Sequence, residues 1–261
     1  MDVKAKEIID LIEIIAPENI QAEWDNSGLQ VGDTESNVQG ILLCMDITDK
    51  AVDFAIKNNL NFILSHHPFF FSDIKSIDFS TYKGKLVKNI IEKNLFIYSA
   101  HTNLDASEIG VNSELARRLE LEDVKKFSEY VEGEDIGVVG KFNGKSLEKL
   151  VKKLTEEISP ENFVKVYGRS KERIEKVAII GGSGNFGISF AKSIGADVLI
   201  TGDTKHHDGQ LAYENNIVLI DIGHFYSELP VLFMLKEYLN KSFNDLNIDI
   251  FQEPIYFIEN F

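Results

Sequence analysis

Histidines in this sequence are confined to four short segments, each of which follows an apolar run typical of a buried strand. The segments read NFILSHHPFF (61–70), LFIYSAHTNLD (95–105), DVLITGDTKHHDG (197–209) and IVLIDIGHFYSE (217–228). They contain all six histidines of the chain, namely His66, His67, His101, His206, His207 and His224. Imidazole nitrogens that accompany carboxylates bind transition metals and transfer protons near neutral pH. The pattern therefore predicts a metal site with more than one ion.

Strands and helices must alternate along the chain to carry these segments to one place. Apolar runs predict strands at 40–47, 61–65, 94–100, 197–201 and 217–223, and helical spacing predicts helices at 3–15, 49–59, 83–93 and 146–157. Parallel strands that lie side by side open into one crevice at their carboxyl ends. We therefore predict an α/β fold of two similar halves, with mixed, largely parallel sheets packed together and a dinuclear metal site at the strand ends between them.

The two predicted halves are residues 1–127 and 128–261, because the sequence becomes more charged and richer in turns after residue 122. The C-terminal helix and strand are expected to pack back on the first half. Pro254 favours an edge or end position for that last strand, since proline cannot donate to a β-ladder.

The adjacent His66 and His67 are the strongest local signal. Neighbouring residues on a regular strand point to opposite faces, so both imidazoles converge only where the strand ends. Pro68 biases His67 toward an extended, non-helical conformation at that point. Two adjacent histidines at a strand end are better explained by a bound metal or anion than by core packing.

Two further segments place an imidazole four residues before a carboxylate: His101 with Asp105, and His224 with Glu228. This spacing puts both side chains on one side of a helical turn. Each carboxylate also has a structural interpretation: Asp105 as a helix N-cap, and Glu228 as a first-turn residue that interacts with the helix dipole. In that second interpretation, Ser227 caps a helix that runs from Glu228 to about residue 239.

The segment EWDNSGLQVGD near the N-terminus reads as a turn before a short strand. Asp25 and Asn26 could hydrogen-bond metal-binding imidazoles and hold them in one tautomer. From this stretch alone, a plain turn packed under Trp24 is the favoured interpretation. The phenylalanine-rich segment that follows His67 is interpreted as a wall or lid over the site, or as ordinary hydrophobic packing.

The glycine-rich turn GGSGNFG follows a predicted strand, and Gly182, Gly184 and Gly187 satisfy the GxGxxG pattern. Its late position, and an acidic residue, Asp203, inside a histidine-bearing loop, disfavour a dinucleotide site. The backbone amides of Gly181 to Gly184, which include Ser183, could instead hold a phosphate or other anion. Alternatively, the glycines allow a close contact between strand and helix.

His206 and His207 lie in GDTKHHDG, which is typical of an exposed helix start. We expect these two imidazoles, with His101, to contact substrate or transfer protons.

The predicted metal ligands are His66, His67, Asp105, His224 and Glu228, with His101 as a sixth candidate. This set offers nitrogen and oxygen without sulfur, which suits zinc, iron, manganese, nickel or cobalt. Five or six donors exceed the need of one catalytic zinc and suit a pair of divalent ions.

Composition narrows the classes of partner. A formal charge of −15 and a pI near 4.8 disfavour binding to nucleic acid or to anionic lipid. The N-terminus lacks the pattern of a signal peptide, and no apolar run approaches the 18 or so residues that span a bilayer. The single cysteine, Cys44, precludes disulfides within the chain. These features predict a soluble cytoplasmic protein.

Six segments in this order, EWDNSGLQVG, SHHPFFF, SAHTNLD, GGSG, GDTKHH and GHFYSE, resemble the family named after NGG-interacting factor three, whose bacterial members are often labelled GTP cyclohydrolase 1 type 2 homologues. The resemblance covers essentially the whole chain. It implies two similar α/β halves, a dinuclear site on the five ligands named above with His101 beside it, and assembly as a toroidal homohexamer. Glu23 stands where the family often has glycine, and it touches no implied ligand.

The expected function is that of a metal-dependent hydrolase, GTP cyclohydrolase-like or phosphoesterase-like, that acts on a nucleotide or other phosphorylated compound. The alternative is a non-catalytic, metal-loaded oligomeric scaffold or regulatory protein. A nicotinamide enzyme is a third, disfavoured class, which predicts that the cofactor stabilises the fold.

Overall fold

The structure is a computed structural model that describes residues 2–130, 133, 135–159 and 164–255. The strands in this part of the chain are β1 Val3–Lys4, β2 Gly28–Val31, β3 Asn37–Val38, β4 Gly40–Cys44, β5 Phe62–Ser65, β6 Phe96–Ser99, β7 Glu122–Lys126, β8 Val138–Lys145, β9 Lys165–Tyr167, β10 Ile174–Ile179, β11 Val198–Thr201, β12 Val218–Asp221 and β13 Asn247–Phe251. The α-helices are α1 Ala5–Ile15, α2 Asp49–Lys57, α3 Tyr82–Glu92, α4 Thr102–Asp105, α5 Val111–Arg118, α6 Leu147–Glu157, α7 Ile188–Ser193, α8 His206–Glu214, α9 His224–Glu228 and α10 Pro230–Asn240. No helix among these residues is long and apolar enough to cross a membrane.

The chain forms two compact units. The first unit combines the residues up to Ser107 with the chain from Leu232 onward, and the second unit is Glu108–Val231. The sequence predicted a boundary near residue 127, and the structure divides the chain earlier. The reason is that α5 contacts β8 and β10, and β7 pairs with β8, so residues 111–126 belong with the second sheet.

The sheet of the first unit has the order β13-β4-β5-β6-β2. Strands β13, β4, β5 and β6 are parallel, and β2 pairs with β6 in the antiparallel direction. Every residue of β4, β5 and β6 is buried, as continuous apolar runs predict for strands covered on both faces. The predicted edge or end position of the last strand is confirmed, because β13 lies at the sheet edge and ends before Pro254. Its predicted continuation through 256–261 lies outside the described residues.

The sheet of the second unit has the order β7-β8-β10-β11-β12-β9. Strands β10, β11 and β12 are parallel, whereas β8 and β9 flank them in the antiparallel direction. The first sheet thus has four adjacent parallel strands and the second has three, and in each an antiparallel edge strand lies beside the last of them, β2 in one unit and β9 in the other. The predicted α/β class with mixed sheets is confirmed.

Amphipathic helices cover these sheets. The N-terminal helix α1 buries Ala5, Ile8 and Ile12, which recur at helical spacing. Each fully buried isoleucine stabilises the fold by roughly 1.5–3 kcal/mol relative to an exposed one. In the second unit, Ser146 caps α6 by accepting a hydrogen bond from the amide of Lys149. Within each unit, the helix-covered sheet therefore holds the carboxyl ends of its parallel strands in fixed positions.

Candidate metal site

The strand β5 ends immediately before His66 and His67. Their amides still donate to the carbonyls of Cys44 and Met45, at 3.0 and 2.9 Å, so the backbone stays registered with the chain that follows β4. The two imidazole rings nevertheless lie near each other, with centroids 5.1 Å apart. The predicted convergence of the two side chains at the strand end is therefore confirmed.

A single helical turn follows β6 and places Asp105 above His101. The carbonyl of His101 accepts a hydrogen bond from the amide of Asp105 at 3.0 Å. Asp105 is the last residue of α4, and the N-cap of α5 is Gly110, so the N-cap interpretation of Asp105 is wrong. Its carboxylate instead turns toward the histidines, with Oδ1 3.7 Å from His66 Nε2.

Three imidazoles of the first unit form a tight group. His66, His67 and His101 each offer a ring nitrogen that lies within 4.8 Å of the other two. The centroid of His101 is 5.2 Å from that of His66 and 5.7 Å from that of His67. We refer to His66, His67, His101 and Asp105 as the first donor set. Nitrogen atoms at such distances can surround one cation.

Each imidazole of this group is held through Nδ1. The contacts are His66 with the carbonyl of Ala100 at 2.9 Å, His67 with Asp46 Oδ1 at 2.9 Å, and His101 with Asp25 Oδ1 at 2.8 Å. Carbonyl and ionised carboxylate oxygens only accept hydrogen bonds, so each Nδ1 carries the proton. The Nε2 atoms then present lone pairs, which is the tautomer that a metal requires.

Asp25 is a buried hub beneath His101. Its Oδ2 accepts hydrogen bonds from Thr102 N at 3.0 Å, Thr102 Oγ1 at 2.5 Å and Ser27 Oγ at 3.0 Å. Burial alone would raise the pKa of Asp25, but the hydrogen bonds from His101 and Thr102 hold it well below its usual range. The favoured plain-turn interpretation of this stretch is wrong, because Asp25 holds an imidazole. Asn26 has another role and donates to the carbonyl of Phe70 at 2.6 Å.

The second unit contains His224 and Glu228, which we call the second donor pair. Both lie on α9, the short helix that follows β12, and His224 Nε2 is 3.1 Å from Glu228 Oε2. His224 Nδ1 lies 2.7 Å from Asp203 Oδ2, so this imidazole is held in the same way as those of the first unit. The Glu228 side chain is 4% exposed, and its carboxylate is therefore strongly desolvated.

Ser227 does not cap a helix, contrary to the prediction. The helical turn begins three residues earlier, at His224, and a separate helix begins at Pro230. Ser227 Oγ accepts a hydrogen bond from the amide of Gly182 at 2.8 Å and donates to the carbonyl of His224 at 2.7 Å. This serine thus ties the donor pair to the glycine-rich turn.

The glycine-rich turn gives room to Glu228. A Cβ atom at Gly182 would lie 2.2 Å from Glu228 Oε1 and 3.4 Å from His224 Nε2. Three of its amides already donate within the unit: Gly181 to Asn112, Gly182 to Ser227 and Gly184 to Thr201, each at 2.8 Å. These amides are therefore committed to internal contacts and not to an anion. The anion contact of Ser183 stays a prediction.

His206 and His207 begin α8, which confirms the expected exposed helix start. His207 Nδ1 lies 3.5 Å from Gln210 Oε1 on the same helix. Among the described residues, neither histidine belongs to a group of three or more donors whose atoms lie within 4.8 Å of one another. Their roles in substrate contact or proton transfer stay predictions.

A cavity of about 400 Å³ adjoins His67 at the carboxyl ends of β4, β5 and β13. Its lining includes Asp46, Lys83 and Phe251. Lys83 Nζ donates to the carbonyl of Phe69 and lies 3.5 Å from the centroid of the Phe69 ring. Desolvation lowers the pKa of Lys83 to about 8. The volume suits a small organic molecule beside the first donor set.

The chemistry of the donors restricts the metals that fit. Cys44 is buried in β4, and burial strongly raises the pKa of its thiol, so it stays protonated. The remaining donors are imidazole nitrogens and carboxylate oxygens, which suit zinc, iron, manganese, nickel and cobalt. The imidazoles are fixed in the metal-binding tautomer, and the residues present therefore fit the predicted divalent ions.

Sequence reasoning missed two residues that hold donor imidazoles, Asp46 at His67 and Asp203 at His224. Asp203 was considered only as a dinucleotide contact. Asp46 stands two residues past β4 and Asp203 two residues past β11, at the same strand ends as the histidines. An acidic residue just after a parallel strand was thus the available signal.

These features define a mixed α/β protein with histidine and carboxylate donors gathered at the carboxyl ends of its parallel strands. The chain belongs to the Duf34/NIF3 (NGG1p interacting factor 3) family, whose sequence model matches residues 3–256.

Relatives of similar length share the sequence along most of the chain. A Clostridium acetobutylicum protein named GTP cyclohydrolase 1 type 2 homolog is 33% identical over 253 residues, which cover 95% of this chain and 94% of that protein. A Helicobacter pylori protein named GTP cyclohydrolase 1 type 2 is 34% identical over 254 residues, which cover 97% and 98% of the two chains. The likeness therefore extends over both units.

Solved structures resemble the fold closely. Reduced HcgD from Methanocaldococcus jannaschii superposes with a TM-score of 0.85 and 31% identity, covering 96% of this chain and 98% of that one. Staphylococcus aureus hypothetical protein SA1388 superposes with a TM-score of 0.87 and 28% identity, covering 99% and 100% of the two chains. The mixed α/β architecture is thus shared with these proteins.

Proposed function

We propose that the protein binds two divalent transition-metal ions and hydrolyses a nucleotide or other phosphorylated compound. The observation that carries the proposal is the orientation of the imidazoles. His67 and His224 each hold Nδ1 against a carboxylate, at 2.9 and 2.7 Å, which leaves Nε2 as the metal-binding atom. The names of the curated relatives, GTP cyclohydrolase 1 type 2 and its homologs, support a nucleotide as the substrate class.

The residues that would hold the ions are His66, His67 and Asp105 from the first donor set, and His224 and Glu228 from the second donor pair. Bound divalent ions supply Lewis acidity that activates water near neutral pH. His101 is proposed as the proton-transfer residue, because the contact with Asp25 fixes the orientation of its ring. The cavity beside His67 would accommodate part of the substrate.

Metal replacement tests this function directly. The protein is stripped with a chelator, reloaded separately with zinc, iron, manganese, nickel or cobalt, and assayed by elemental analysis and by hydrolysis of GTP and of phosphate esters. We expect about two ions per chain and turnover that depends on the metal. Native mass measurement of the same samples tests the homohexamer that the family resemblance implies.

Substitutions then separate the donors. His67→Ala and Glu228→Gln should each lower the metal content and abolish turnover, whereas exposed Glu214→Gln should change neither. A full metal content in both variants would refute the ligand assignment. Tight metal binding without turnover of any phosphorylated substrate would favour the non-catalytic scaffold.

A further inference from the structure

Two large aromatic side chains stand exposed beside His101. Trp24 is 60% exposed and Phe71 is 59% exposed. Their ring centroids are 5.8 Å apart, and those of Trp24 and Phe71 lie 6.0 and 6.2 Å from that of His101. We call Trp24 and Phe71 the aromatic platform. It adjoins the first donor set directly through the imidazole of His101.

Core packing does not account for this platform. Within the same phenylalanine run, Phe69 is 3% exposed and belongs to the hydrophobic core of the first unit. Phe70 is partly buried against that core. Phe71, the next residue, turns outward instead and meets Trp24. Adjacent exposed rings at the edge of a polar site mark a binding surface more often than isolated surface side chains do.

Hydrogen bonds hold the platform in place. Asn26 Nδ2 donates to the carbonyl of Phe70 at 2.6 Å, and the amide of Phe70 donates to Gln30 Oε1 at 3.0 Å. The loop that carries Phe71 is therefore fastened to the segment that carries Trp24. Three consecutive residues thus have three roles: Trp24 forms the platform, Asp25 holds His101, and Asn26 holds the loop. Such a surface loses little conformational entropy when a ligand binds.

We propose that the aromatic platform binds a planar heteroaromatic ring of the substrate, such as a nucleobase, by stacking on Trp24 and Phe71. This inference rests on the proposed function, because it assigns the part of the substrate that lies beside the proton-transfer residue. A ring is favoured over an aliphatic group because the π-faces of exposed aromatic side chains stack with every nucleobase. A ligand bound there contacts His101 at its edge.

The sequence contains one tryptophan, so Trp24 fluorescence reports on the platform alone. The first measurement is acrylamide quenching of the native protein, in which we expect an accessible tryptophan. The second is titration with adenosine and guanosine 5′-monophosphates, with ribose 5-phosphate as the ring-free probe. We expect saturable quenching by both nucleotides and none by ribose 5-phosphate at the same concentrations.

Substitutions at Phe71 separate stacking from general hydrophobic contact. Phe71→Leu should weaken nucleotide binding about tenfold, the loss of one stacked ring. Phe71→Tyr should retain it, and Phe79→Leu, which changes another exposed phenylalanine, should have no effect. All these side chains are exposed, so the variants are expected to fold.

Three results would overturn the inference: a shielded Trp24, equal binding of ribose 5-phosphate, or unaltered nucleotide binding by Phe71→Leu. Nucleotide binding tests the aromatic platform and metal-dependent turnover tests the proposed function, so the two can be refuted independently. A metal-dependent hydrolase with no preference for ringed ligands would refute the aromatic platform alone. A protein that binds rings but shows no metal-dependent turnover would refute the proposed function alone.

Discussion

Gly182 and Glu228 are so close that no side chain fits at residue 182: a Cβ atom there would lie 2.2 Å from Glu228 Oε1. Gly182 also has a φ of 63°, in the left-handed region that favours glycine. The GxG pattern in this chain therefore clears space for a buried carboxylate. A similar sequence pattern in a dinucleotide site clears space for a pyrophosphate.

Replacing Gly182 with alanine should displace Glu228 and lower the metal content. The matched control is Gly195→Ala, since Gly195 has a φ of 75° but no atom within 4 Å of the added Cβ. Both variants should lose about 1 kcal/mol of stability through backbone strain. Only Gly182→Ala should lose metal, as measured by elemental analysis after dialysis. Equal metal contents would show that the position of Glu228 does not matter for binding.

Removing the carboxylate that holds an imidazole should weaken metal binding without removing a ligand. Asp46→Ala removes the carboxylate whose Oδ1 lies 2.9 Å from His67 Nδ1. We expect the metal Kd to rise about 10- to 100-fold, with a smaller rise in Asp46→Asn, which keeps an acceptor oxygen. Competition with a chromogenic chelator measures the constants. The control is Asp49→Asn, because Asp49 lines the same cavity but bonds to Tyr82; the same loss in that variant would argue against the holding role of Asp46.

Asp221 is expected to stabilise the second unit in a pH-dependent way. Burial would raise the pKa of Asp221, but hydrogen bonds from Thr204 and Gly223 hold it below its usual range. A depressed carboxyl pKa gives stability that is present above about pH 3.9, the unfolded value, and is lost as pH falls through the folded value. Asp221→Asn should therefore cost about 1–3 kcal/mol at pH 7.

The comparison of urea unfolding at several pH values checks this expectation for Asp221. The difference between wild type and Asp221→Asn should shrink below about pH 4, where the wild-type carboxyl also becomes protonated. Exposed Asp123→Asn is the control and should leave the free energy of unfolding nearly unchanged. If the difference in the free energy of unfolding between wild type and Asp221→Asn did not change with pH, the side-chain packing of Asp221, and not its charge, would account for its role.

Lys83 should reduce the stability of the first unit at neutral pH. Desolvation lowers the pKa of Lys83 to about 8. The cost of the charge is fully present below pH 8 and is relieved as pH rises toward about 10.4, the unfolded value. Lys83→Met should therefore be more stable at pH 7, on the order of 1 kcal/mol after solvent screening.

Thermal unfolding between pH 7 and 10.5 tests the expectation for Lys83. Wild-type stability should gain on that of Lys83→Met as the pH rises above 8. Lys88→Met is the matched control, since Lys88 lies on the same helix and near a phenylalanine ring, Phe79, but pairs with Glu92. If wild type gained stability equally relative to Lys83→Met and to Lys88→Met, the effect would come from the loss of any positive charge and not from the desolvation of Lys83.

Local patterns in the sequence were sufficient to predict the α/β class and most strands. Continuous apolar runs such as GILLC predict buried parallel strands because both faces of the sheet are covered. The positions of His66 and His67 followed from the same reasoning, since a strand end is where adjacent side chains can converge. The turn that joins His101 to Asp105 was also predicted from the four-residue spacing.

Contacts between distant loops were beyond this reasoning. His67 meets Asp46 and His224 meets Asp203 across 21 residues each, and such pairs depend on how two loops end side by side. The hydrogen bonds from the amides of Gly181 and Gly184 to Asn112 and Thr201 could not be predicted from the sequence for the same reason. The predicted boundary lies later than the observed one because the chain enters the second unit at Glu108, whereas charge and turn content change only after residue 122.

The pairing of β13 with β4 has a consequence for how this protein is made. Strand β4 pairs with β13 in parallel from Gly40 to Cys44, yet β13 is synthesised more than 200 residues later. On the ribosome, the second unit can therefore complete its sheet while the first still lacks an edge strand. Premature termination before Asn247 would release a nascent chain with β4 uncovered, open to pairing with other chains.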